Sequence, residues 1–313
     1  MNKKYVTTGC VLFTVILSGC GQIAENNSSE ELGEGRTVEH ELGSTVVPNN
    51  PQNVVTLELG ITETAVALGI NPIGIADDDQ PERIAESTMS QLDDYTSVGA
   101  RSEPSLELIR SLNPDLILVD VDRHENIYKE LGDIAPTVAV IHDTGNYEEI
   151  LSSTEIIGNA LDETEKTNEL LEDHQQRVTM LKTNTSSYEG SVLQAQYTSN
   201  NLFGAPTSSY FMPSFMEEIG IEYALDNDTE DSQDLTIEQI LSIDPTTLIL
   251  TTSDDEPSPI EQLQNDKLYN RLQAVENDKV FEMEHNDMSR RRSIMAVNEQ
   301  IDTLEDIFTN TAP

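Results

Sequence analysis

Two kinds of hydrophobic patterning alternate along the chain. Short aliphatic and β-branched runs at Asn53 to Leu57, Pro72 to Ala76, Leu116 to Val119 and Val138 to Ile141 predict strands, with a short helix over Ile61 to Leu68. The pattern returns later, with strands at Ser191 to Tyr197, Leu248 to Leu250 and Lys279 to Met283 and a helix over Ser214 to Ile219. Strands interleaved with helices in both halves predict an α/β fold of two lobes. Between them, Thr164 to Thr183 has neither Pro nor Gly and carries Leu170, Leu171, Val178 and Leu181 at helical spacing. That segment predicts one helix of about 30 Å joining the lobes, and it limits hinge motion because bending would break its hydrogen-bond ladder.

The lobes are related within the sequence. The stretch from Ser105 to Val119, SLELIRSLNPDLILV, aligns without gaps on Thr236 to Leu250, TIEQILSIDPTTLIL. Each copy reads as a Ser/Thr cap, a short helix with Glu in its first turn, a Pro-marked stop and a buried strand. Helix-turn-strand units look alike in many α/β proteins, but the shared Glu, Ile, Ser and Pro favour a matched pair. The expected division is an N-terminal lobe over 37–162, a connecting helix over 163–186 and a C-terminal lobe over 187–313.

The amino terminus is a different kind of segment. Lys3 and Lys4 precede an apolar run from Val11 to Leu17, too short to span a membrane, so residues 1–19 read as a secretory signal peptide. Its exit, Leu17-Ser18-Gly19-Cys20, resembles the lipobox of bacterial lipoproteins. That likeness implies lipidation of Cys20 and a protein held on the outer face of the cell membrane. Residues 20–36 are polar and acidic and read as a flexible linker. The only other cysteine is Cys10, within the signal, so the mature chain can form no internal disulfide.

Composition narrows the partners. The 313 residues carry 58 acids against 17 Lys and Arg, a net charge of −41, which becomes −43 once residues 1–19 are removed. Such a surface excludes a phosphate-tracking nucleic-acid binder. It also repels itself until salt screens it, the Debye length falling to about 3 Å near 1 M, so a saline habitat is expected. The melting temperature should accordingly rise from dilute buffer to molar salt; a flat response would remove the saline inference.

More specific strings then appear. They are Pro51-Gln52-Asn53-Val54-Val55-Thr56-Leu57-Glu58, Ala67-Leu68-Gly69-Ile70-Asn71-Pro72-Ile73-Gly74, and Val98-Gly99 through Pro114-Asp115-Leu116-Ile117. Most telling is Asp122-Arg123-His124 with Tyr128, Leu131 and Ile134-Ala135-Pro136-Thr137. With these the chain resembles the siderophore-binding lipoproteins of bacterial iron ABC transporters, in the ferric dicitrate and hydroxamate branch. Met288-Ser289-Arg290-Arg291-Arg292-Ser293 resembles a further family segment, with Met288 in place of the usual Trp and Ser293 in place of Gly.

The resemblance implies a monomeric receptor that captures a ferric siderophore between its lobes and delivers it to an ABC permease and its ATPase. The iron stays inside its chelator, so no metal ligand and no cofactor are expected from the protein. Arg101, Arg123, His124 and Arg290 are the candidate polar contacts, since a guanidinium fork can hold carboxylate oxygens. The alternative for each Arg is a solvated partner of nearby acids, and of Arg291 and Arg292 one or both should face outward. Tyr197, Phe203 and Tyr210 form a candidate apolar and hydroxyl wall, with loop anchoring as the alternative. Glu107 and Glu238, matched in the repeat, are the implied docking residues for the two halves of the permease; a helix-start Glu also favours the dipole.

Other chemistries fare less well. The five His lack the spacing of a zinc site. Asp77-Asp78-Asp79 and Asp254-Asp255-Glu256 lack the alternation of a calcium loop and read as solvated acidic surface. There is no Gly-x-Ser-x-Gly elbow or Walker loop, so an extracytoplasmic enzyme is the weaker class. Haem is the alternative ligand, with His285 or Met288 as an axial group.

Overall fold

In the computed structural model, residues 35–198, 201–226, 232–252 and 257–309 are described. The signal segment, Cys20, Asn200 and the Asp254 to Glu256 run lie outside them. Arg36, the last residue assigned to the linker, opens a strand pair, Arg36–His40 with Gly43–Val47. Its guanidinium donates to the carbonyls of Asn159 at 2.9 Å and Ala160 at 2.7 Å, which ties the start of the fold to the first lobe.

The N-terminal lobe is built on a five-stranded parallel sheet in the order Thr96–Ser97, Gly74–Ile75, Val54–Thr56, Leu116–Asp120, Thr137–Val140. Its central strands are buried on both faces, which is why they read as continuous apolar runs rather than alternating ones. The C-terminal lobe holds a six-stranded mixed sheet. Ser191–Tyr197, Thr247–Thr252 and Val280–Glu284 are parallel, the short Glu222–Tyr223 also pairs parallel with Ser191–Tyr197, and Phe203–Pro206 pairs antiparallel with both Ser191–Tyr197 and Ser232–Leu235.

The repeat is expressed as two capped helices feeding two central strands. Ser105 Oγ accepts from the amide of Leu108 at 3.3 Å at the start of Leu106–Ser111. Thr236 and Gln239 form a reciprocal capping box at the start of Ile237–Ile243. Glu107 and Glu238 both sit exposed in the first turn of these helices.

The lobes are joined by the helix Thr164–Asn184. Its buried stripe is Thr167, His174, Val178 and Leu181, so a histidine takes a position that the apolar pattern assigns to leucines. His174 is accommodated because both ring nitrogens are bonded, Nε2 to Tyr147 OH and Nδ1 to Asn298 Oδ1, each at 2.7 Å. No helix among the described residues is long and apolar enough to cross a membrane.

Contact between the lobes is direct as well. Glu63, on the N-terminal helix Leu59–Ala67, receives Arg291 Nε and the hydroxyl of Ser293. Arg291 also donates to Asp287 and Glu299, each at 2.7 Å. Gly60 permits this approach, because a Cβ there would collide with the His142 ring and the Arg292 carbonyl.

Candidate ligand cleft

Ligand sites in open α/β sheets form beyond the carboxyl ends of the strands, and here those ends carry the charge. In the N-terminal lobe Glu58 follows Val54–Thr56, Asp77 and Asp78 follow Gly74–Ile75, Arg123 follows Leu116–Asp120, and His142 and Asp143 follow Thr137–Val140. One buried carboxylate organises the last two groups. Asp120 Oδ1 accepts from the Arg123 amide at 2.8 Å, and Oδ2 accepts from the amides of His142 and Asp143, both at 2.9 Å.

Glu58 lies fully buried beneath the cleft. Arg101 Nη1 donates to its Oε2 at 3.0 Å, Arg123 Nε lies 2.6 Å from its Oε1, and His142 Nδ1 is 3.7 Å from Oε2. Burial pushes the Glu58 pKa up to about 7, against the pull of both arginines. Burial also holds His142 well below the ordinary imidazole value, and Arg292, Arg101 and Arg123 push it the same way, so this ring is neutral.

From Glu58 a chain of charges crosses to the second lobe. Arg123 Nη2 and Arg292 Nη1 both donate to Asp143 Oδ1, the second at 3.0 Å. Arg292 Nη2 donates to Tyr210 OH, and the guanidinium carbon lies 4.7 Å from the centre of that ring.

Beside this chain opens a cavity of about 380 Å³, lined by Asp143 and Thr144 from the first lobe and by Gln194, Tyr210, His285, Arg290 and Arg292 among the second-lobe residues. A larger hollow of about 610 Å³ adjoins it and shares Arg290. That hollow sets Glu82, Glu86, Glu284, Asp287 and Glu299 against Arg83, Arg290 and Arg291, so carboxylates dominate its wall. The smaller cavity gathers cations and an aromatic ring instead, and it is therefore the better seat for a chelate bearing oxygen donors. His285 faces it with Nδ1 3.1 Å from Thr251 Oγ1, and burial lowers its pKa to about 4, so this imidazole too is neutral.

The residues singled out from the sequence divide by place. Arg290 and Tyr210 line the cavity, and Arg123 meets it through Asp143. Tyr197 lines a neighbouring hollow of about 220 Å³ and bonds Asn201 Oδ1 at 2.7 Å. Arg101, His124 and Phe203 are placed inside the lobes. Arg101 is spent on Glu58 and on Asp78, to whose Oδ2 its Nε donates at 2.9 Å. His124 Nε2 lies 2.8 Å from the Arg101 carbonyl, and Nδ1 lies 3.0 Å from the Asp120 carbonyl and 3.2 Å from its amide, so its task is to fix backbone. Phe203 is 1% exposed in the second-lobe core, and so is Met288, one of the two groups considered for haem.

Two expectations are corrected outright. Asp77 and Asp78 are not solvated surface: Asp77 is buried, accepting from Tyr95 OH at 2.9 Å and from Ser97, and Asp78 holds Arg83 and Arg101. Neither Arg291 nor Arg292 faces outward: Arg291 is buried among the carboxylates of Glu63, Asp287 and Glu299, and Arg292 is buried against Asp143 and Tyr210. Glu58, Asp120, Asp143 and Glu63 carry much of this architecture and were not among the candidates. For the first three the available signal was an acidic residue just beyond, or closing, an apolar strand.

Comparison with known proteins identifies the family and the fold. A model of the periplasmic binding protein family matches residues 54–286. The chain is 34% identical over 286 residues to the Fe(3+)-citrate-binding protein YfmC of Bacillus subtilis, covering 91% of this chain and 90% of that one. It is 30% identical over 260 residues to the Fe(3+) dicitrate-binding periplasmic protein FecB of Escherichia coli, covering 83% and 86%. Its fold is similar to that of Staphylococcus aureus SirA solved with staphyloferrin B, with a TM-score of 0.75, 22% identity, and coverage of 87% and 98%.

Proposed function

The chain belongs to the periplasmic binding protein family, and from that premise we propose that it is a monomeric receptor that binds a ferric siderophore between its lobes. The ligand is of citrate or hydroxamate type, and the receptor hands it to an ABC permease, with its ATPase, for iron uptake. No bond of the ligand is made or broken. Residues 1–19 are the secretory signal and Cys20 carries the lipid that holds the protein on the outer face of the cell membrane. Residues 37–162 and 187–313 are the lobes, joined by the connecting helix.

The observation that carries this reading is the meeting of Arg290, Arg292 and Tyr210 from one lobe with Asp143, itself held by Arg123, from the other at a single cavity. Planar guanidiniums suit the carboxylate or hydroxamate oxygens that wrap ferric iron, and a tyrosine ring supplies an apolar wall with a polar tip. The relatives named for ferric citrate support the same class of ligand.

Calorimetric titration with ferric citrate, a ferric trihydroxamate and haem tests it. One of the two ferric chelates should bind without a Soret band, and Arg290→Gln should weaken that binding by roughly tenfold or more, the scale of one charge-assisted hydrogen bond. Failure of all three ligands would overturn the receptor reading.

A further inference from the structure

We infer that Asp143 is a built-in competitor for the anionic group of the ligand, and that it thereby sets the preference of the cleft between carboxylate-rich and uncharged ferric chelates. This rests on the receptor reading above and asks what the same site selects.

Asp143 Oδ1 stands between Arg123 Nη2 and Arg292 Nη1 on the wall of the cavity. A carboxylate between two guanidiniums is the contact that a carboxylate of an incoming chelate would make. Asp143 holds that seat from within the chain, its amide anchored on Asp120 at 2.9 Å while its side chain remains 24% exposed. Behind it, Glu58 already balances Arg123. The two guanidiniums that hold Asp143 are thus matched before any ligand arrives. A polyanionic chelate must displace Asp143 or bear its repulsion. An uncharged trihydroxamate need do neither, because it can pack on Tyr210 and accept from Arg290 without entering the seat.

The test is calorimetry of wild type and Asp143→Asn with ferric citrate and with ferrichrome. The Asn side chain keeps the shape and removes the charge, so ferric citrate should bind roughly tenfold or more tightly while ferrichrome changes by less than about threefold. Asp143→Glu keeps the charge and should show no such gain. Asp143→Ala is read in the same way as Asp143→Asn should the latter melt much below wild type. An equal gain for both chelates, no gain, or weaker ferric citrate binding would overturn the competitor role. If neither wild type nor variant binds either chelate, the citrate-or-hydroxamate assignment itself falls, and the competitor role with it. If wild type binds and only the expected gain is missing, the competitor role falls alone.

Discussion

Replacing Arg291 with Met is expected to destabilise the protein by about 3–5 kcal/mol, measured as the shift in urea unfolding, because it breaks a buried ion pair from one side only. Arg291 is 2% exposed and Glu63 is 1% exposed, and no solvent can take over when the guanidinium is gone. Met fills much of the space, so little of the loss is cavity. The loss comes from a carboxylate left in an apolar helix contact with the Ser293 hydroxyl as its remaining partner.

That origin gives the prediction a pH signature. Burial raises the Glu63 pKa, and Arg291 is the chief influence that lowers it, so removing Arg291 raises it further. A carboxylate with a raised native pKa binds more protons folded than unfolded, and its contribution to stability is lost as pH rises through that native value. The deficit of Arg291→Met should therefore be smaller near about pH 5 than near about pH 8. Adding Glu63→Gln should recover at least half of it, since an amide can be buried against Ser293 without a charge. A pH-independent deficit, or no recovery in the double variant, would mean that Arg291 acts through packing alone.

The same pair shows where sequence reading ends. Glu63 and Arg291 are 228 positions apart, and nothing local marks them as partners. The elements themselves were legible because they depend on short-range chemistry. The Ser105 and Thr236 caps, the Pro-free connecting helix and the apolar strands all appear near their expected positions. Adjacent residues were harder, since successive helical side chains point about 100° apart. Arg123 and His124 read as one motif, yet in the short helix Val121–His124 the first turns toward Asp143 and the second is fully buried against backbone. Arg290 closes the helical turn Asn286–Arg290 and the next two residues leave it, so this run diverges too: Arg290 and Arg292 line the cavity, Arg292 also holding Asp143 and Tyr210, while Arg291 turns to Glu63.

Replacing Glu107 and Glu238 together with Ala is expected to abolish chelate-dependent iron uptake by cells while the purified protein binds its chelate within about twofold of wild type. Both glutamates are exposed in the first turn of a capped helix, one on each lobe, and the helices descend from matching stretches of sequence. Within the family resemblance, each would enter a basic pocket on one half of the permease. Truncating one partner of a desolvated charge pair costs about 2–5 kcal/mol, so two such losses should bring transport to background. Single variants should lose less than half of the logarithmic effect, because the lipid tether proposed at Cys20 would keep the receptor at high local concentration near the permease. Loss of the favourable dipole contact is a much smaller effect, about 0.3–1 kcal/mol per helix, and it lowers stability without touching docking. Glu107→Gln with Glu238→Gln separates the two further, since an amide keeps the shape and loses the ion pair. Wild-type uptake by the double Ala variant, at normal expression and normal chelate affinity, would mean that the permease reads some other surface of the two lobes.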